Sequence, residues 1–380
     1  MDGVKKNFGF GCMRLPMIGE DVDIEQTNKM VDTYLEQGFN YFDTAHGYIQ
    51  GKSEKALKTC LTDRYSRDKY ILTNKLTNFF FKKEEDIRPF FEQQLETCGV
   101  DYFDYYLMHA QGAENFKFFK QCRAYETAFE LKKEGKVKHV GISFHDKAEV
   151  LEQILTEYPQ VEVVQIQFNY LDYEDPAVQS RKCYEVCRKH NKPMIVMEPV
   201  KGGSLVNLPE DAKKVLEDLH GGSPASYAIR FAAGFDGIEM VLSGMSSMEQ
   251  MQDNLSYMKD FQPLSDKELD AVYKVTEIIR SAHLIPCTAC RYCVDACRYC
   301  VDGCPKKISI PDLFACMNTK QIYHDWNADY YYNVVHTAEG KGKASDCIKC
   351  GKCEKACPQH LEIRKLLEDV AAEFEKKEEK

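Results

Sequence analysis

The chain lacks any excess of positive charge: 50 Lys and Arg stand against 60 Asp and Glu in 380 residues, a net charge of −10. Nucleic acids and anionic membrane surfaces recruit basic patches, so neither is expected as a partner. Long apolar runs are also missing. Nothing approaches the roughly 18 apolar residues of a membrane span, and the opening MDGVKKNFGFGC has no signal-peptide core. A cytoplasmic location is the expectation. Cysteine is sparse through most of the chain, with six residues in positions 1–282, yet eleven crowd into 283–380. Thiols two residues apart cannot all bridge one another, and a reducing compartment disfavours disulfides, so metal is the better reason for them. With 44% apolar and 29% charged residues, the composition is that of a folded protein with one large domain, 1–282, and a smaller one, 283–380.

Cys347-x2-Cys350-x2-Cys353-x3-Cys357-Pro358 has the spacing of the bacterial ferredoxin run. In that run three thiolates wrap one [4Fe–4S] cluster, and the fourth, before proline, reaches a neighbouring cluster. Zinc ribbons, the competing reading, usually split two Cys-x2-Cys pairs across a dozen or more residues. Upstream, ACRYCVD occurs twice in succession, at 289–295 and 296–302. Deleting one copy restores the ferredoxin spacing, so a tandem duplication leaves six cysteines where four are needed: Cys287, Cys290, Cys293, Cys297, Cys300 and Cys304. The preferred assignment gives Cys287, Cys290, Cys293 and Cys357 to one cluster and Cys304, Cys347, Cys350 and Cys353 to the other, with Cys297 and Cys300 spare. An alternative uses Cys297, Cys300 and Cys304 with one upstream thiol.

Through the first 282 residues, short apolar runs alternate with amphipathic stretches of helical period. Eight runs, from FGFGCMRLP near residue 10 to GIEMVLSGM at 237–245, predict eight strands, each followed by a helix. A (β/α)8 barrel and a doubly wound sheet share this alternation. The polar residues favour the barrel: Asp43 and Tyr48 follow the second strand, Lys75 closes the third and His109 closes the fourth, all at carboxyl ends, where barrels build active sites.

FDTAHGYIQGKSE, LTNKL and CGVDYFDYYLMHA resemble the motifs of the aldo-keto reductase family, in its branch with a ferredoxin-like tail. The resemblance spans about residues 8–260 and continues into the cysteine runs. It implies a (β/α)8 TIM barrel followed by a small, mostly helical iron–sulfur domain, with Asp43, Tyr48, Lys75 and His109 as catalytic tetrad. The chemistry is consistent with these residue types. A carbonyl reduction needs a proton for the developing alkoxide, tyrosine is a weak donor at neutral pH, and a nearby lysine cation favours its ionised form. For the cofactor, NAD(H) or NADP(H), the resemblance points to Gly11, Cys12 and Met13 after the first strand, Ser143 and Gln165 at the nicotinamide amide, and Met197 where relatives stack a tyrosine. It also points to Gly244, Ser246, Ser247, Gln250 and Asn254 around the adenosine phosphate. Phe144 replaces an amide-binding asparagine, and Gly244 and Gln250 replace the lysine and arginine of NADPH-selective members, so NADH is at least as plausible.

Weaker features are a GGSL segment after Lys201, read as a cofactor-covering loop or a plain turn, and His324, Trp326 and Tyr330–Tyr332, read as packing between domains. Three functional readings follow. One is a reductase of a small carbonyl, or oxidiser of an alcohol, with two clusters in its tail. The second is an electron carrier exchanging electrons with a ferredoxin or flavoprotein, its barrel docking a flavin or partner. The third is a non-catalytic nicotinamide-binding module. Hydride transfer moves two electrons and a cluster passes one, which argues against direct exchange between the two halves.

Overall fold

The computed structural model describes residues 1–175, 178–281, 285–288, 290, 303–323, 328–329, 331–337 and 340–375. Eight parallel strands close into a barrel: β1 (Phe8–Gly11), β2 (Tyr41–Asp43), β3 (Ile71–Leu76), β4 (Phe103–Gln111), β5 (Val137–Phe144), β6 (Val163–Gln167), β7 (Met194–Met197) and β8 (Ile238–Ser243). Each pairs with its sequence neighbours, and β1 closes the ring on β8 through Phe8↔Val241 and Phe10↔Ser243. Buried on both faces, these strands read as nearly continuous apolar runs, as parallel sheets do. Tyr41, Ile71, Tyr105, Leu107, Val163, Ile195, Met240 and Leu242 fill one end of the interior. Their bulk explains two small residues. A Cβ on Gly9 would stand 2.6 Å from Leu242, and one on Gly141 2.5 Å from Val163.

Helices cover the outside as the period predicts. The first, Ile24–Glu36, begins where the Asp23 carboxylate accepts from the Gln26 amide at 2.9 Å, satisfying an otherwise orphaned donor. A small antiparallel ribbon, Met17–Ile18 with Asp21–Val22, was not expected from the pattern.

By contact density the chain forms two compact units, Met1–Val200 with Ala225–Asp266, and Lys201–Pro224 with Lys267–Lys380. The second is mostly helical. Helices Ile310–Tyr323 and Ile363–Phe374 bury Leu313, Phe314, Leu367, Val370 and Phe374 in a core of their own. Ile308 makes one parallel bridge to Gly342, where a side chain would meet the Lys306 carbonyl at 2.2 Å. Tyr332 corrects the expectation of packing between domains. It stacks on Phe374 at 4.5 Å within the second unit, and its hydroxyl donates to Glu375. His324, Trp326 and Tyr330, and the residues either side of the expected 282/283 boundary, lie outside the described residues. Among the described residues no helix is long and apolar enough to cross a membrane.

Candidate functional site

Asp43, Tyr48, Lys75 and His109 come together at the carboxyl end of the barrel. The sheet register sets Gly11 beside Asp43 and Asp43 beside Thr73, two residues short of Lys75. The Lys75 ammonium donates to Asp43 Oδ1 at 2.5 Å and to the Thr44 carbonyl at 2.8 Å, and Gln165 Nε2 donates to Asp43 Oδ2 at 3.3 Å. Lys75 is 0% exposed and Asp43 3%. Burial pulls the Asp43 carboxyl up and the Lys75 ammonium down, and the charge of each partner opposes both shifts. Lys75 Nζ stands 4.8 Å from the centre of the Tyr48 ring, which meets the His109 ring edge-on at 6.1 Å.

The backbone around these groups is bent to present them. Tyr48 opens a turn in which Ile49 (φ 51°), Gln50 (φ 57°) and Gly51 (φ 82°) all adopt left-handed conformations, uncommon for side-chain-bearing residues. Ser53 and Glu54 of the same motif anchor it. Ser53 Oγ donates to the Cys12 carbonyl at 2.8 Å, and buried Glu54 accepts from Asn74 at 2.7 Å and bonds His46 at 2.6 Å. In β4 the register slips between Met108 and Gln111, with Ala110 at φ 51°. Bulges of this kind re-aim side chains beside active sites. The Ala110 amide donates to Ser143 Oγ at 2.8 Å, and its carbonyl accepts from Asn115 at 2.7 Å. His109 Nδ1 bonds Thr77 Oγ1 at 2.7 Å. Burial, and then the Lys75 charge, push the imidazole well below its usual range, so it is neutral at neutral pH.

The candidate cofactor residues divide. Gly11 ends β1 with Cys12 next to it, Ser143 is the penultimate residue of β5, and Gln165, within β6, donates to Asp43. Cys12 is 0% exposed and its thiol is pushed up by burial, then by Asp43. Met13 and Met197 are half-buried. Asn254 is drawn into the packing, donating to Ser243 Oγ at 3.0 Å and accepting from Tyr257 at 2.5 Å. Gly244, Ser246 and Gln250 are exposed at the start of helix Met248–Met258. Ser247 caps that helix by accepting from the Gln250 amide at 3.3 Å, and Gln250 Oε1 accepts from the Ser246 amide at 2.7 Å. A cation stands close by in Arg14. Its Cβ would lie 3.5 Å from a Cβ on Gly244, and its carbonyl accepts from Ser246 Oγ at 2.8 Å.

In the second unit Cys287, Cys290 and Cys357 border a small cavity with Thr288, Gln359 and Ile310. Cys304, Cys347, Cys350 and Cys353 border another, which Ile310 also lines. Among the described residues no three His, Cys, Asp or Glu side chains converge on a point where a single metal ion would sit. Three described thiols border the first cavity and four the second. Cys293, Cys297 and Cys300 lie outside the described residues.

Sequence reasoning missed Thr77, Ala110, Asn115 and Arg14, none of which has a motif of its own. The GGSL segment after Lys201 groups with the second unit, and Lys201 itself is 1% exposed and donates to Gln359 Oε1 at 3.0 Å.

Comparison with known proteins matches residues 7–277 to a family model described as the Aldo/keto reductase family and residues 286–362 to one described as a 4Fe-4S dicluster domain. The uncharacterized oxidoreductase YqkF of Bacillus subtilis is 22% identical over 303 residues, covering 71% of this chain and 92% of that protein. The NADH-specific methylglyoxal reductase of Escherichia coli is 26% identical over 195 residues, 46% of this chain and 57% of that one. Among solved structures, an aldo-keto reductase from Klebsiella pneumoniae in complex with NADPH superposes with a TM-score of 0.58 at 19% identity, covering 71% of this chain and 90% of that chain.

Proposed function

The chain belongs to the aldo/keto reductase family, and from that premise we propose that it reduces a small carbonyl, or oxidises the matching alcohol, with NAD(P)(H) at Asp43, Tyr48, Lys75 and His109. The observation that carries this reading is the buried Lys75–Asp43 pair, with Lys75 Nζ against the Tyr48 ring. A bound reduced nicotinamide supplies the hydride. Tyr48 gives its hydroxyl proton to the carbonyl oxygen, and the Lys75 cation favours the phenolate left behind. Asp43 holds Lys75 in position. In the tautomer in which Nδ1 accepts from Thr77, Nε2 of neutral His109 carries the hydrogen that orients the substrate oxygen. Gly11, Cys12, Met13, Ser143, Gln165 and Met197 would border the nicotinamide, and Ser246 and Ser247 the adenosine phosphate. With no Lys or Arg at 244 or 250, this end supports NADH at least as well as NADPH.

We assign Cys287, Cys290, Cys293 and Cys357 to one [4Fe–4S] cluster and Cys304, Cys347, Cys350 and Cys353 to a second, supported by the two cavities. The family matches, which end at 277 and resume at 286, support a boundary near 282, although contacts group Lys267 onward with the second unit; the reducing cytoplasm suits the thiols. A one-electron carrier, a ferredoxin or a flavoprotein, is the partner such clusters would serve. The test uses the anaerobically purified full chain with NADH or NADPH and small aldehydes. Aldehyde-dependent cofactor oxidation that Tyr48→Phe lowers by about 10²- to 10⁴-fold supports the reading; an unchanged rate in that variant overturns it.

A further inference from the structure

Lys75 lies beyond the end of its neighbouring strand. The register of β2 on β3 stops at Asp43↔Thr73. On that side the Ile71 amide donates to the Asn40 carbonyl at 2.7 Å, and the Thr73 carbonyl accepts from the Thr44 amide at 3.0 Å. Main-chain groups of a strand alternate between its two neighbours, so those of Lys75 turn the same way and find no strand there. Unpaired in the interior they would cost about as much as a lost hydrogen bond. Side chains fill the gap: the Lys75 amide donates to Asn74 Oδ1 at 2.8 Å, and its carbonyl accepts from Gln94 Nε2 at 3.1 Å.

One buried carboxyl orients both of these amides. Glu54, in the helix Lys52–Leu57, is 0% exposed, and its Oε1 accepts from Asn74 Nδ2 at 2.7 Å and from Gln94 Nε2 at 3.3 Å. Tyr106 donates to Gln94 Oε1 at 2.6 Å, which fixes the other end of that amide. Glu54 Oε2 stands 2.6 Å from Nδ1 of His46, two residues before Tyr48. The His46 ring is held edge-on by Phe80 at 4.6 Å and Phe90 at 5.1 Å. An ionised carboxylate only accepts, so with Glu54 ionised it is Nδ1 that carries the hydrogen. Two tetrad members on different elements, Lys75 in β3 and Tyr48 in its turn, are thereby tied through a single side chain.

We propose that Glu54 is a positioning residue of the reductase site: it locks the Tyr48 turn to the main chain of Lys75, and so fixes the 4.8 Å from ammonium to ring centre across which the lysine charge acts on the phenol. The proposal rests on the catalytic reading above. No bond is made or broken at the Glu54 carboxyl. The effect of a cation on a phenol weakens with distance and with entry of water, so a turn cut loose from Glu54 leaves Tyr48 harder to ionise and Lys75 less able to favour the phenolate.

The experiment uses the anaerobically purified full chain carrying tyrosine isotope-labelled at Cζ, whose nuclear magnetic resonance reports ionisation of each phenol. The Tyr48 signal is the one absent from Tyr48→Phe. Glu54→Asp keeps the charge but is one methylene too short to hold both sides. In it the Tyr48 midpoint should move to higher pH by about 0.5–1 unit, and kcat with small aldehydes should fall by about 10- to 100-fold, with KM for the nicotinamide unchanged. His46→Leu cuts the tie to the turn alone and should move the same two readings in the same direction. His46→Asn, whose Nδ2 offers a donor to the same oxygen, should recover most of the loss. An unmoved midpoint in folded Glu54→Asp overturns the proposal, as does a loss that falls only on KM for the nicotinamide. Where Glu54→Asp does not fold, His46→Leu is read in its place, and an unmoved midpoint there, or a shift that His46→Asn does not reverse, overturns the proposal equally. The phenol signal needs no turnover. Wild-type protein inert toward aldehydes therefore refutes the catalytic reading, while the Tyr48 midpoint still decides the role of Glu54.

Discussion

The barrel and the second unit hold their reactive groups in different conditions. At the barrel's strand ends Lys75 already has Asp43 and Thr44, His109 has Thr77, and Glu54 has His46 and Asn74. In the second unit the thiols border cavities, and none of those described is in a disulfide. Burial pushes Cys353 up to about 11 and raises Cys357 as well. The barrel groups thus pair with one another, whereas the thiols of the second unit line cavities and are expected to take their partner from a bound cluster.

The sharpest way to test that contrast is Lys75→Met. It strands the Asp43 carboxyl without its partner and should destabilise the barrel by about 3–5 kcal/mol as well as abolish turnover, while iron content stays whole. Loss of iron in this variant would break the comparison. Cys353→Ala is the mirror experiment. It should remove roughly half the iron and lower the melting temperature of the second unit in calorimetry, with the barrel transition unmoved.

A smaller effect follows from His109. The native ring stays neutral, whereas the unfolded chain protonates near the ordinary value of 6.5. Below that pH the unfolded state binds more protons, so this contribution is intact above pH 6.5 and is lost as pH falls, by up to about 1.4 kcal/mol per pH unit. Denaturant titrations from pH 7 to 5 should show this slope, flattened in His109→Gln. The smallest effect is expected of Cys297→Ala with Cys300→Ala, which should leave iron content unchanged. Loss of a cluster there would favour the alternative ligand set.

The architecture was legible because strand and helix periods differ and because Asp43, Lys75 and His109 each end an apolar run. The cysteine spacing was legible for a related reason, since ligands a few residues apart encode their own geometry. Contacts between distant segments were not. Thr77 beside His109 looks like any strand-end threonine until the barrel curves, and Arg14 meets Gly244 only because β1 pairs with β8. The GGSL segment shows the limit most clearly. Two glycines predict a turn, but nothing in their sequence says that Gly202 must lie against Thr288.

Closure of the barrel through β1 and β8 also has a consequence for how the chain is made. Phe8 and Phe10 find their partners only when Val241 and Ser243 have been synthesised. At roughly 5–20 residues per second, that wait is on the order of tens of seconds. During it the nascent sheet carries two open edges, which favours helpers that shield apolar strands on the ribosome. Because every cysteine from Cys287 onward is translated after β8, the order of synthesis lets the ring close before the cluster thiols emerge, so iron need not meet an unfinished barrel.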